Sequence, residues 1–319
     1  MNNFQECICC GSNDVKTISH QGRNFKKLHT VMCQGCGLIH SDPIPSLEEL
    51  SIFYKQNYRI DYKYSYQPQK RHTIRYAPTT LNYLKKIISF IETDKYENLK
   101  FLDIGSGSGE LLYFAKKMGF QTLGVEPNEG YANFCKDNLK LNIVNSTYED
   151  ANLNKNEYDI VHLNQVLEHL PNPVTVLKDL KSYIKENGLL IITVPDIEAQ
   201  MHSPNTIFHY AHVYNYNHVH LKKIINAQGF EILNPETKTT SIIAQKTNNY
   251  KVLKFELSKN KEKIEYLISK NTKLKHYSSF TPYKRFLRKC LFYPKEILQS
   301  LFFDSHKSIL DFYSKKIKE

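Results

Sequence analysis

Asp103, Gly105, Gly107 and Gly109 stand together in "FLDIGSGSGELL", residues 101–112, and Glu126 follows in "LGVEPN". Glycines alternating with serines after a short apolar run let a ligand come close to the backbone. A dinucleotide-binding loop reads GxGxxG and rests a pyrophosphate on a helix N-terminus. Gly105 and Gly107 fit its first two positions, but the third is Glu110, and Gly109 comes one residue early. Carboxylates at Asp103 and Glu110 repel a pyrophosphate and attract an ammonium group. Glu126, at the end of the next expected strand, is placed to accept both hydroxyls of a ribose. S-adenosylmethionine (SAM) has an ammonium head, a ribose and no phosphate, whereas NAD shares only the ribose half. The loop predicts SAM.

Seven cysteines fall at positions 7, 9, 10, 33, 36, 135 and 290. The odd number and the early cluster make a poor disulfide framework and a good metal site. "CICCG" and "CQGCG" both fit CxxCG, pairing Cys7 with Cys10 and Cys33 with Cys36. A glycine after the second cysteine of each pair lets the backbone turn so that amides point at the thiolates. Four such sulfurs suit a tetrahedral structural Zn²⁺ at ~2.3 Å per bond. Cys9 is expected to point elsewhere. Ribbons of this kind bind nucleic acid in some proteins and brace a fold in others.

These residues need elements to hold them. "DPIPSLEEL" offers Ser46 as an N-cap with Glu49 three residues on, so a short helix is expected there. Tyr54, Tyr58, Tyr62, Tyr64, Tyr66 and Tyr76 then crowd a stretch that reads either as a linker pinned by aromatic contacts or as a cover for a hydroxylated substrate. From "TTLNYLKKIISFIE" onward the period is helical. Strands "KFLDIG", "QTLGVE", "NIVNS", "YDIVHLN" and "LLIITVP" alternate with helices, including "VTVLKDLKSYIKENG", as in a doubly wound α/β sheet. "EILNPE" and "TSIIAQK" are too close in sequence for a parallel crossover and are expected to form an antiparallel hairpin. The tail, with "YKRFLRKCLFYPKEILQSLFF", reads as helical and amphipathic, broken near Pro282 and Pro294. The expected organisation is a zinc ribbon over 1–42, a Tyr-rich linker over 43–76, a SAM-binding domain over 77–247 and a basic helical tail over 248–319.

The net charge of +11 is placed unevenly. Residues 251–319 carry 17 Lys and Arg against 7 Asp and Glu, while residues 1–250 are close to neutral. The basic character therefore belongs to the tail and offers a surface for an anionic membrane or a partner. No apolar run approaches the ~20 residues that span a bilayer. "MNNFQECICC" lacks the basic start and apolar stretch of a signal peptide. The cytoplasm is the expected compartment, with peripheral attachment at the inner face of the membrane through the tail.

"LDIGSGSG", "GVEPN", "YDIVHLNQVLEHLPNP", "GLLIITVP" and the terminal hairpin together resemble the class I SAM-dependent methyltransferases over about residues 75–246. The resemblance implies a Rossmann-like sheet in which Asp103, Gly105 and Gly107 line the methionine part of SAM and Glu126 its ribose. Tyr148 and Glu149, in "STYED", would edge the adenine, and Asn164 and Gln165 would face the sulfonium. In the same class, small-RNA and quinone-precursor O-methyltransferases hold Mg²⁺ with an E-x-x-E-H cluster and a later histidine. Here Gln165 replaces the first acid, and Glu168 and His169 in "LEH" read as structural.

The segment "FHYAHVYNYNHVHL" carries His209, His212, His218 and His220. In the class this insert lies over the acceptor pocket, which nominates a general base: His212 first, then His209. His220 opens a helix and reads as structural. The double-CxxCG ribbon, the "FYKQNYR" link and the core together are similar to zinc-containing methyltransferases of bacterial sugar and surface-polysaccharide pathways, among them sugar C-methyltransferases. The implied acceptor is a sugar nucleotide or glycan. "FHYAHVYNY" lacks the adjacent Glu-His pair of the C-methylating members, so O-methylation stands beside C-methylation. RNA methylation, with the ribbon and basic tail as the binding surface, is the alternative, and the near-neutral first 250 residues weigh against it.

Overall fold

The structure is a computed structural model that describes residues 6–53, 67–199, 203 and 206–317. The chain divides into two compact units, each assembled from three separated stretches. One unit takes residues 1–53, 165–181 and 192–286, and the other takes 54–164, 182–191 and 287–319.

The first unit opens with three antiparallel strands, β1 (Val15–Gln21), β2 (Lys27–Cys33) and β3 (Ile39–Ser41). Each CxxCG segment closes on itself: Gly11 N–H donates to Cys7 O at 2.8 Å and Gly37 N–H to Cys33 O at 2.9 Å. Both glycines have positive φ, which the tight turn demands. Helix α1 (Leu47–Phe53) starts at the expected cap, with Glu49 N–H donating to Ser46 Oγ and Ser46 N–H to Glu49 Oε2.

The second unit begins with α2 (Lys70–Ile88), whose buried Ile74, Ala77, Leu81, Leu84 and Ile87 form one stripe. This helix starts nine residues before "TTLNYLKKII" and runs through Pro78, because the stripe is continuous across the proline. Strand β4 (Lys100–Ile104), helix α3 (Glu110–Met118), strand β5 (Gln121–Val125), helix α4 (Glu129–Leu139), strand β6 (Ile143–Val144) and strand β7 (Tyr158–Asn164) follow. β4 lies between β5 and β7, parallel to both, and β6 is parallel to β5.

Helix α5 (Pro173–Tyr183) is shorter than the sequence pattern implied, and β8 (Ile184–Thr193) starts immediately after it. The carbonyls of Ser182 and Tyr183 accept from Asn156 N–H and Glu157 N–H, so they are spent outside the helix. Strand β9 (Tyr214–Asn215) comes from the histidine-rich segment and pairs with β3, completing a four-stranded sheet β1-β2-β3-β9 in the first unit. Helix α6 (His218–Ala227) leads to β10 (Phe230–Ile232) and β11 (Ser241–Lys246), the expected antiparallel hairpin. The larger sheet runs β10-β11-β8-β7-β4-β5-β6, the Rossmann-like arrangement with its hairpin at one edge.

The C-terminal stretch forms α7 (Leu257–Lys270), α8 (Lys273–Ser278), α9 (Thr281–Leu301) and α10 (His306–Ser314). Ile264 of α7 belongs to a core with Met32, Ile39, Ile197 and Phe208 of the first unit. Ile309 and Leu310 of α10 are fully buried. Of the two expected breaks in the tail, the one near Pro282 occurs, at residues 279–280 between α8 and α9, and the one near Pro294 does not. Pro282 sits in the first turn of α9, where its missing N–H has no helical partner to lose, and α9 continues through Pro294. Among the described residues, no helix is long and apolar enough to cross a membrane.

Candidate functional site

In the second unit, Asp103 on β4 sits in register with Gly124 of β5 and His162 of β7. Its carboxylate is buried, and the His162 Nδ1–H donates to Oδ1 at 2.6 Å. His162 Nε2 has no hydrogen-bond partner among the described residues, and the ring lies against Tyr83 and Phe101. A carboxyl this buried needs such a hydrogen-bond partner.

Past β4 the chain turns through Gly105, Gly107 and Gly109, with φ of +73°, +55° and +77°. A Cβ on Gly109 would come within 2.8 Å of Cys135 Sγ and Leu141 Cδ1. On Gly107 a Cβ would meet nothing nearer than Gly105 O at 3.9 Å, so the space over that residue is open. Glu126, also buried, follows β5 and accepts from Gly107 N–H at 2.8 Å and Asn128 N–H at 3.0 Å. It ties the glycine loop to the next strand while standing beside it. Glu110 begins α3, where the helix dipole favours a carboxylate. Its oxygens accept from Ser108 Oγ at 2.6 Å and Thr73 Oγ1 at 3.4 Å. Two hydroxyls of the protein thus occupy the third acid read from the loop.

In the first unit the four predicted thiols converge. Cys7 Sγ is 3.6 Å from Cys36 Sγ and Cys10 Sγ is 3.5 Å from Cys33 Sγ, with all four within 4.8 Å of one another. A tetrahedron of sulfurs around zinc at ~2.3 Å has an edge of about 3.8 Å, so the donor set fits that ion. Gly35 N–H donates to Cys33 Sγ. Hydrogen bonding to Cys36 holds the Cys33 thiol well below its usual range, while Cys33 pushes Cys36 well above it. Cys9 is buried but stands outside the set. The second turn is pinned from behind: Cys36 O accepts from His220 Nε2–H at 2.9 Å and from Asn260 Nδ2 at 3.1 Å.

A second cluster of the first unit gathers three histidines and a carboxyl. His169 Nδ1–H donates to Ala211 O at 2.6 Å, which leaves the lone pair on Nε2, 3.5 Å from Glu168 Oε1. His209 Nδ1 accepts from Ala211 N–H. The His212 ring is edge-on to both, 4.9 Å from His169 and 5.7 Å from His209. Glu168 is buried with neither oxygen hydrogen-bonded among the described residues, and burial pushes its carboxyl up to about 8. Donor atoms of Glu168, His169 and His212 lie within 4.8 Å of one another. One carboxylate and two imidazoles do not make the oxygen cage that Mg²⁺ prefers. Gln165, in place of the first acid of the E-x-x-E-H pattern, is exposed.

Residues 72–234, half of the chain, match the family described as methyltransferase domain. The chain belongs to that family. Over 124 residues the methyltransferase-domain chain is 29% identical to ubiquinone biosynthesis O-methyltransferase of Rickettsia bellii, covering 37% of this chain and 51% of that protein. It is 30% identical over 118 residues to ribosomal protein L11 methyltransferase of Dictyoglomus thermophilum, covering 36% of this chain and 37% of the other. The chain spans about half or less of the length of these curated relatives. Among solved structures it is similar to a SAM-dependent methyltransferase from Archaeoglobus fulgidus, with 22% identity, a TM-score of 0.43 and coverage of 53% of this chain and 94% of that one. It is similar also to one from Aquifex aeolicus, with 18% identity, a TM-score of 0.41 and coverage of 53% and 89%.

The remaining expected residues of this methyltransferase-domain chain fall as follows. Tyr148 is buried in the turn after β6, and Glu149 beside it is exposed. Asn164 ends β7 with its side chain exposed, and Gln165 follows with φ of +58°. Tyr54, Tyr58, Tyr62, Tyr64 and Tyr66 lie outside the described residues. Tyr76 is on α2, half exposed. Two features escaped the sequence reading. His162 was hidden in the apolar run "YDIVHLN", although a lone imidazole inside a central strand is itself a signal of a buried partner. The joining of Glu168 and His169 with His212 needed the fold.

Proposed function

We propose that this chain transfers the methyl group of SAM to a hydroxyl oxygen of a sugar or glycan. One observation carries the cofactor half of this reading: Asp103 and Glu126 flank a glycine loop whose open side has room for a ligand at Gly107. When bound, SAM supplies a methyl group already activated on a sulfonium, so the protein has mainly to bind, orient and exclude water. Asp103, held by His162, attracts the ammonium head; Glu126 accepts from the ribose hydroxyls. Tyr148 and Glu149 edge the adenine, and Asn164 and Gln165 face the sulfonium.

A hydroxyl acceptor must lose a proton, and His212 takes it, with His209 as the second candidate. Oxygen as the acceptor atom is supported by the named activity of the Rickettsia relative, an O-methyltransferase. The sugar class is supported by the resemblance of the ribbon and Tyr-rich link to polysaccharide-pathway enzymes. The Cys7, Cys10, Cys33 and Cys36 set holds a structural Zn²⁺.

The test uses methyl-labelled SAM, the purified protein and separated nucleotide sugars, lipid-linked glycans and total RNA. Label is expected in a sugar-containing fraction and stable to mild base, as a methyl ether on a hydroxyl oxygen is and a methyl ester on a carboxylate is not. Asp103→Ala and Glu126→Ala each remove a charge-assisted contact and lower transfer by about a hundredfold, with unchanged circular dichroism. Undiminished turnover in either variant overturns the cofactor site, and label in RNA alone overturns the acceptor class.

A further inference from the structure

Helix α9 is amphipathic in an inverted sense. At about 100° per residue, Leu287, Leu291, Leu298 and Leu301 fall within an arc of roughly 80°. They are 51%, 71%, 60% and 73% exposed, and Phe302 just beyond the helix is 84% exposed. Glu296, on the roughly opposite side, is buried and forms a two-pronged ion pair with Arg75 of α2, with Arg75 Nε to Glu296 Oε1 at 2.6 Å. The carboxylate faces the protein and the leucines face outward. A soluble monomer rarely leaves such a contiguous apolar stripe uncovered.

The charge along the helix says what covers it. Arg288, Lys289 and Lys295 are exposed, with Arg288 and Lys295 bordering the leucine stripe at a spacing of seven residues. Glu296 is the sole acid in α9, and Arg75 neutralises it. A second copy of the chain would bring the same cations against each other, whereas an anionic lipid surface neutralises them. A helix with outward leucines and flanking Lys and Arg has the composition of one lying in the plane of a membrane interface. It is about 31 Å long but too charged to span.

We infer that α9 is an in-plane docking helix for an anionic lipid bilayer, with Leu287, Leu291, Leu298, Leu301 and Phe302 entering the acyl boundary and Arg288 and Lys295 contacting phosphates. The inference stands apart from the proposed reaction. It places the protein where a lipid-linked acceptor would be found, but does not depend on one.

The experiment is co-sedimentation of the full-length protein with phosphatidylcholine vesicles and with vesicles that also contain phosphatidylglycerol, over a range of salt. Binding is expected only to the anionic vesicles, weakening as salt rises. The Leu291→Asp, Leu298→Asp double variant abolishes it. Arg288→Gln and Lys295→Gln together weaken it by about thirtyfold. Because these side chains are exposed, all variants should melt like the parent. Equal binding to both vesicle types, or none, overturns the proposal. So does a concentration-dependent dimer that the leucine variant dissociates without any vesicle binding, which would make a second copy the occupant.

Discussion

His162 shows how a residue without an obvious role can shape a binding site. It reaches Asp103 across two parallel strands, from 59 positions away in sequence. Its removal should be felt at one end of the ligand only. In His162→Leu, binding of S-adenosylhomocysteine is expected to weaken by about tenfold, while methylthioadenosine, which lacks the amino-acid head, binds as before. In His162→Asn, the amide nitrogen takes the place of Nδ1 and affinity is largely restored. Equal losses for both ligands, measured by calorimetry, would mean that the imidazole serves packing alone. At this scale the acids and glycines of the loop were legible because their chemistry is local: a few consecutive residues set the turn and its charge. Pairings such as His162 with Asp103, or Glu168 and His169 with His212, depend on strand order and loop return, which no local pattern encodes.

Among the elements, the sequence reading failed where proline or a carbonyl's partner decided the boundary. Pro78 and Pro294 each remove one helical donor, yet α2 and α9 continue through them. The end of α5 was invisible because Asn156 and Glu157, far away in sequence, claim its last carbonyls. The placement of α10 was equally hidden. Its residues Ile309 and Leu310 are buried, Tyr113 OH donates to Asp311 Oδ1, and Lys85 Nζ donates to Lys316 O. His306 is the pH-sensitive part of that docking. Burial, and then the nearby charge of Lys70, hold its imidazole down at about 4, against 6.5 when exposed. Between those values the unfolded segment takes up a proton that the docked one refuses. Docking is therefore fully supported above pH 6.5 and weakens as the pH falls toward 4. Amide exchange across residues 303–317 should rise over that window, and His306→Leu should flatten the rise. An identical profile in the variant would assign the acid sensitivity to other groups.

For the molecule as a whole, the strand–helix alternation and closing hairpin were readable because a doubly wound sheet is built from repeated, sequence-adjacent units. The interleaving of two compact units was not, because each draws on three stretches of chain. One expectation at this scale concerns the metal. The full-length protein should contain one zinc per chain. Cys33→Ser should lose it and melt about 5 °C or more below the parent, whereas Cys9→Ser keeps it. Zinc retained at full content in Cys33→Ser would rule out the four-sulfur site.

The pairing of β3 with β9 sets a timetable for synthesis. Residues 7–36, with their four converging thiols, leave the ribosome well before the strand that completes their sheet, Tyr214–Asn215. At about 5–20 residues per second, the edge of β3 waits roughly nine to thirty-five seconds for its partner. Through that interval the cysteines belong to an unfinished sheet, open to oxidants and to stray metal ions. Faithful assembly of the first unit thus rests on a reducing environment during translation as much as on the final fold.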